Sequence, residues 1–234
     1  MSPEQLENGK QWFLPHFPIV KKDRTTTKTR LVSDASVQSQ GISLNNNIHV
    51  GPKLQRDLPT VLTRFRRKPI GIMCDIAEMY LQIELDPADK PYHRFLWRGL
   101  DAGHPPQVYE FNRVVFGVNA SPFLAQLVMQ THARSNQTED PLVAEAILKS
   151  TYEYDCMDSV DHEEAGLCLY GQLSNLWSNA GMHARKWTSN SINIMEQVSM
   201  EDCVKEVDLT KSDIPTVKAL GVIWEAPEDV FQFA

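Results

Sequence analysis

One short run constrains this chain more than any other: Ile70-Gly-Ile-Met-Cys-Asp75-Ile76, apolar throughout except for a carboxylate near its end. Such a run suits a strand covered on both faces. An aspartate at the end of a buried strand is costly to hold without a partner. A second carboxylate follows eighty residues on, in Tyr152-Glu153-Tyr154-Asp155. Taken alone, Asp75 reads equally well as a functional ligand and as a buried cap for the turn that follows.

With 234 residues the chain suffices for one large domain or two intertwined small ones, and its 42% hydrophobic content supports a real core. The formal net charge of −7 argues against a broadly nucleic-acid-binding surface, because phosphate neutralisation uses basic side chains. The charge is segregated, however. Lys21, Lys22, Arg24, Lys28 and Arg30 form one basic cluster and Arg64, Arg66, Arg67 and Lys68 another, while acid concentrates at 155–164 and 196–213. Local fields therefore matter more than the total, although composition alone makes both clusters solvated surface. Cys74, Cys156, Cys168 and Cys203 show no zinc-ligand spacing, which fits a reduced intracellular chain with Cys74 as packing. There is no stretch of membrane-spanning length and no signal-peptide pattern, so the expectation is an intracellular, cytoplasmic protein with no membrane partner.

The coarse elements mix helices and hairpins without a βαβ rhythm, which favours an α+β fold. Pro15 and Pro18 forbid a helix over Trp12–Val20, and Val20–Ser33 reads as a hairpin. Leu58–Phe65 is a predicted helix with Asp57 as cap and Pro59 in its first turn. Leu81–Leu85 alternates like a half-buried strand, and His93–Trp97 with Val108–Val115 makes a strand pair. Ser121 is the expected N-cap of a helix whose apolar face carries Leu124, Leu127, Val128 and Thr131. A shorter helix covers Leu142–Lys149. Asp161 caps the next one, which buries Leu169, Leu173, Leu176, Trp177 and Ala180 and stops at Gly181. Val217–Trp224 and Val230–Phe233 form a closing hairpin.

Several positions could carry chemistry. Tyr80, five residues after Asp75, could pack on a sugar ring, although spacing alone favours core packing. Phe116-Gly117-Val-Asn-Ala-Ser121-Pro122 is a glycine turn feeding a helix, through which a nucleotide or template could approach the backbone; ordinary strand-to-helix connections look the same. Lys21, Lys22 and Arg30 flank a turn and could grip a triphosphate.

Taken in order, Lys21-Lys22-Asp23, Arg30-x-x-x-Asp34, Asp75 with Tyr80, Phe116-Gly117 before Ser121-Pro122, Tyr152-x-x-Asp155, Gly181 with Lys186, and Leu220-Gly221 resemble the ordered blocks of reverse transcriptases. Leu14-Pro-His-Phe-Pro-Ile-Val-Lys-Lys, Leu31-Val-Ser-Asp-Ala-Ser36, His49-Val-Gly-Pro, Phe111-Asn-Arg-Val-Val-Phe-Gly117, Cys156-Met-Asp-Ser-Val160 and Arg185-Lys-Trp187 narrow the resemblance to the Pao/BEL group of LTR retrotransposons.

The resemblance implies a right-hand polymerase, with an antiparallel palm sheet and helices packed on one face. Its subdomains would be fingers over 1–50 and 86–118 and palm over 51–85 and 119–234. The chain's end just after the closing hairpin would leave little room for a thumb or for other polyprotein segments. The resemblance also implies RNA-directed DNA synthesis on a primed RNA or DNA template, with dNTPs and Mg²⁺ or Mn²⁺. Asp75, the Ile76 carbonyl and Asp155 would be metal ligands, with Asp75 and Asp155 catalytic. Tyr80 would be the steric gate, and Lys21 or Lys22 with Arg30 would hold the triphosphate. Phe116 and Gly117 would border nucleotide and template, Lys186 would lie near the triphosphate, and Leu220 and Gly221 would belong to a primer-steadying hairpin.

One position departs from the family pattern Tyr-x-Asp-Asp. Tyr154 stands at the first Asp position, and a phenol with a pKa near about 10 cannot replace a carboxylate at neutral pH. Glu153 is a poor substitute, because adjacent strand residues point to opposite faces. Impaired catalysis is therefore expected. The alternatives are a catalytically inactive nucleic-acid-binding domain and a vestigial retroelement fragment.

Overall fold

The computed structural model describes residues 11–20, 29–99, 101, 103–204 and 216–233. Lys21 and Lys22 fall outside them. β1 (His16–Val20) and β2 (Thr29–Ser33) pair antiparallel, from His16 opposite Ser33 to Val20 opposite Thr29. A two-stranded ribbon tolerates Pro18, because a proline at an edge forfeits no second ladder. Single-turn α1 (Leu44–Asn47) is capped by Ser43, whose hydroxyl accepts from the Asn46 amide. α2 (Leu58–Phe65) starts at the predicted place and leads into β3 (Ile70–Ile76), buried along nearly its whole length.

The strand expected over Leu81–Leu85 does not form. Met79–Gln82 winds into one helical turn, α3, and only the segment around Glu84 bridges, to Arg113. Leu81 is exposed while Ile83 and Leu85 are buried, so the alternation reports a short bridge rather than a strand. β4 (Arg94–Trp97) and β5 (Gln107–Glu110) pair antiparallel. β5 ends before the expected Val115; Val114 instead donates its amide to the Ile83 carbonyl.

α4 (Ser121–Ser135) begins where predicted, but Ser121 does not cap it: its hydroxyl donates to the Val115 carbonyl at 2.7 Å. The buried stripe is also not the predicted one. Ala125, Gln126, Met129, Gln130 and Ala133 are buried, while Leu127 and Val128 are exposed. Small alanines permit close approach, and the two glutamines are tolerated inside because their amides donate to the Glu153 and Leu54 carbonyls.

α5 (Pro141–Ser150) leads into β6 (Thr151–Tyr152), β7 (Asp155–Val160) and α6 (Glu163–Asn179). The cap of α6 is His162 rather than Asp161: its Nδ1 accepts from the Ala165 amide, and Asp161 pairs with Lys68. Leu169, Leu173, Leu176 and Trp177 are buried as predicted, and Gly181, with φ +68°, follows the helix end. β8 (Ala184–Ser189) and α7 (Ile192–Met195) follow. The closing segment is three strands, β9 (Thr216–Ala219), β10 (Val222–Glu225) and β11 (Val230–Phe233), because Leu220 and Gly221 break the run expected over Val217–Trp224.

The chain divides into two compact units, one of residues up to Lys53 with Tyr80–Ala125, the other of Leu54–Met79 with Gln126 onward. In the first, Leu14, Ala35, Leu44, Val115 and Val118 make a core edged by Trp12, Tyr92 and Phe111. In the second, the four-stranded sheet runs β6-β7-β3-β8. Residues directly opposite in an antiparallel pair share a face, so Gly71 with Ser159, Met73 with Met157, and Asp75 with Asp155 lie on one side, and Ile70 with Val160 and Cys74 with Cys156 on the other. A Cβ on Gly71 would strike Phe65 of α2 and Trp224 of β10, whereas Gly166 of α6 lies against Val160 and Ile194. Helices thus cover both faces, where one was expected. Phe65 meets Trp224 edge-on at 4.7 Å, a geometry that contributes about 0.5–1.5 kcal/mol beyond burial.

Candidate functional site

Asp75 lies near the end of β3 and Asp155 at the start of β7, opposite one another in register. The β6–β7 hairpin turns through Glu153 and Tyr154 alone, with Tyr152 opposite Asp155. One backbone angle and two hydrogen bonds define this turn. Glu153 takes φ +54°, unusual for a residue with a Cβ. Its carbonyl accepts from Gln126 Nε2 at 2.6 Å, and the Tyr154 carbonyl accepts from the Ile76 amide at 3.1 Å. The two carboxylates are therefore set by a sheet register and a buttressed turn rather than by a loose loop. Gln126 went unnoticed in the sequence, although a glutamine between Ala125 and Met129 was the available signal.

Asp75 is 6% exposed. Burial first, and then the charge of Asp75, push the Asp155 carboxyl up to about 7; Glu153 adds to the rise and Lys186 opposes it. Just behind the carboxylates, Cys74 and Cys156 face each other, both buried and free. The hydrogen bond with Cys156, then burial, raise the Cys74 thiol well above its ordinary range.

β8 supplies the cation. Met73 lies opposite Thr188 but Asp75 opposite Arg185, so two residues of β8, Lys186 and Trp187, face the single Cys74. This is a β-bulge, a device that re-aims a side chain. Lys186 takes φ +54° there, and its ammonium donates to Asp75 Oδ2. In the fold Lys186 sits on the Asp75 carboxylate.

Two metal ions need hard oxygen ligands that bridge them. Among the described residues no group of three His, Cys, Asp or Glu side chains converges. Tyr154, in the turn between β6 and β7, is 37% exposed and brings no carboxylate. Asp155 is held toward its neutral form and Asp75 is engaged by Lys186. This donor set does not fit a two-metal centre.

Tyr80 and Phe116 pack ring to ring in the first unit, with centroids 4.8 Å apart. Gly117, with φ +97°, is required by the fold itself: a Cβ there would lie 1.7 Å from the Ser33 carbonyl oxygen. Asn45 ties this turn down, donating to the Gly117 carbonyl and accepting from the Asn119 amide. Arg30 lies in β2 opposite Ile19. Leu220 and Gly221, at φ +52° and +85°, are the two turn residues between β9 and β10, as a right-handed hairpin twist demands. No helix among the described residues is long and apolar enough to cross a membrane.

No family model matches the chain. The chain is similar to retroviral and retrovirus-like polyproteins. It is 28% identical over 113 residues, 48% of its length, to the Pol polyprotein of equine infectious anemia virus (isolate 1369), covering 9% of that protein. It is 29% identical over 133 residues, 54% of its length, to the Pol-related polyprotein of mouse intracisternal A-particle MIA14, covering 14% of it. These similarities support a relationship to one region of retroelement Pol polyproteins, of which the chain spans a small part.

Proposed function

We propose that this chain is a reverse-transcriptase-like domain of a Pao/BEL-type retrotransposon polyprotein whose nucleotidyl-transfer centre has lapsed. The observation that carries the reading is the Asp75–Asp155 pair, set face to face by sheet register beside a two-residue turn reading Glu153-Tyr154. A polymerase centre requires that placement of carboxylates, and Tyr154 removes one of them. In this reading the two compact units are fingers and palm, Tyr80 and Phe116 belong to a nucleotide-facing surface, and Leu220-Gly221 belong to a primer-steadying hairpin. The partners are a primed RNA or DNA template and dNTPs, with Mg²⁺ or Mn²⁺ required only by a restored centre. Similarity to Pol polyproteins supports the lineage. Losing a ligand that positions both ions would remove several kcal/mol of transition-state stabilisation, and every ~1.4 kcal/mol is tenfold in rate.

Primer extension on an RNA template, with Mg²⁺ or Mn²⁺, tests the reading by comparing the chain with Tyr154→Asp. Extension by the variant alone is the expected result. Equal extension by both would overturn the role given to Tyr154. Extension by neither, together with no salt-sensitive binding of primer-template, would overturn the polymerase lineage as a functional description. The second reading, a domain that binds nucleic acid without catalysis, is favoured by the ammonium already seated on Asp75. It predicts binding that weakens with salt and needs no divalent ion.

A further inference from the structure

We infer that Lys186 is the resident cation of the Asp75–Asp155 pair, occupying the carboxylate oxygen a divalent ion would need and excluding such an ion from this chain. The inference concerns the same centre as the proposed function but rests on the β8 geometry alone.

Three observations carry it. First, the placement is built rather than incidental. The bulge puts one extra residue in β8 opposite Cys74, and Lys186 adopts a left-handed backbone there, a conformation seldom held by a side-chain-bearing residue without compensation. The ammonium contact with Asp75 Oδ2 is that compensation. Second, the Lys186 ammonium already meets the Asp75 carboxylate, which lies opposite Asp155 in the β3–β7 ladder. Tyr154 adds no charge, so a dication entering this cluster would find too little negative charge to offset its dehydration. Third, the cation is within reach of competition. The Asp75 carboxylate is nearly buried, whereas the Lys186 side chain is 45% exposed and can swing into solvent when displaced. Removing its charge should therefore open a weak cation site rather than simply collapse the sheet.

Mn²⁺ binding, read from the signal of free Mn²⁺ by electron paramagnetic resonance, tests the inference on the full chain and on Lys186→Met and Lys186→Arg. Lys186→Met is expected to bind Mn²⁺ at least about tenfold more tightly than the wild type, with Lys186→Arg restoring exclusion. Equal binding by wild type and Lys186→Met would overturn the inference. A purely structural lysine would lower stability in both variants without changing Mn²⁺ affinity in either. Should Lys186→Met fail to fold, the wild type alone decides. Acylation followed by mass spectrometry should show Lys186 slower to react than Lys149, with its protection unchanged by Mn²⁺. Protection lost on adding Mn²⁺ would mean that the ion takes Asp75 and that Lys186 excludes nothing. Neither result depends on whether primers are extended, so the inference and the proposed function fail separately.

Discussion

Asp155 should make this protein less stable as the solution becomes more basic, the reverse of an ordinary salt-bridged aspartate. Its carboxyl is pushed from an ordinary 3.8 up to about 7, by burial first and by Asp75 second. The folded state therefore holds this proton more tightly than the unfolded chain. Below about pH 4 both states are protonated and the group contributes nothing. Between about pH 4 and about pH 7 the unfolded chain releases the proton and the folded one keeps it, so stability falls. Above about 7 the full cost of ionising a buried carboxyl beside Asp75 is present. With 1.36 kcal/mol for each tenfold change in proton affinity, the span amounts to about 4 kcal/mol. Asp155→Asn removes the ionisation and keeps the shape. Urea unfolding followed by tryptophan fluorescence across this range, extrapolated to water, gives the comparison. Asp155→Asn should be the more stable protein near neutrality, with the gap closing toward about pH 4. Parallel stability profiles for the two proteins would refute the reasoning, and a gap that opens toward acid would reverse its sign.

Three other perturbations probe the packing of the two units taken singly. Gly117→Ala places a methyl group against the Ser33 carbonyl at a φ of +97°, and should cost more than about 2 kcal/mol in chemical denaturation; a loss within about 0.5 kcal/mol would mean the turn readily rearranges. Phe65→Ala empties the contact with Trp224 and Gly71 and should cost about 3–5 kcal/mol, read as a lower urea midpoint at unchanged slope. Gln126→Ala deprives the Glu153 carbonyl of its side-chain donor and should cost about 1 kcal/mol, with faster amide exchange at residues 153–155; unchanged exchange there would show that the sheet alone holds the turn.

The interior strand that holds Asp75 was legible because strand burial leaves a local trace. An unbroken apolar run such as Ile70–Ile76 has few alternatives to an interior strand, whereas Asp155 comes opposite Asp75 through the long-range pairing of β7 with β3 and a turn held by Gln126. Helix α6 was legible for the same reason, its leucines falling at helical spacing onto one buried face. Where two local signals competed, the reading failed. On α4 the larger apolar residues Leu127 and Val128 outweighed the alanines in the pattern, yet packing chose the alanine face because it admits closer neighbours and lets Gln126 and Gln130 reach backbone acceptors. At 81–85 the alternation was real, but a helical turn at Met79–Gln82 took half of it.

By itself, then, the sequence determined the buried strand that carries Asp75 near its end, because that depends on residues within a few positions of one another. Only the tertiary structure decided what answers Asp75. The bulge in β8, the left-handed Lys186 and its contact across 111 positions of chain arise from how β3 and β8 fall out of register, and no local pattern encodes that slip.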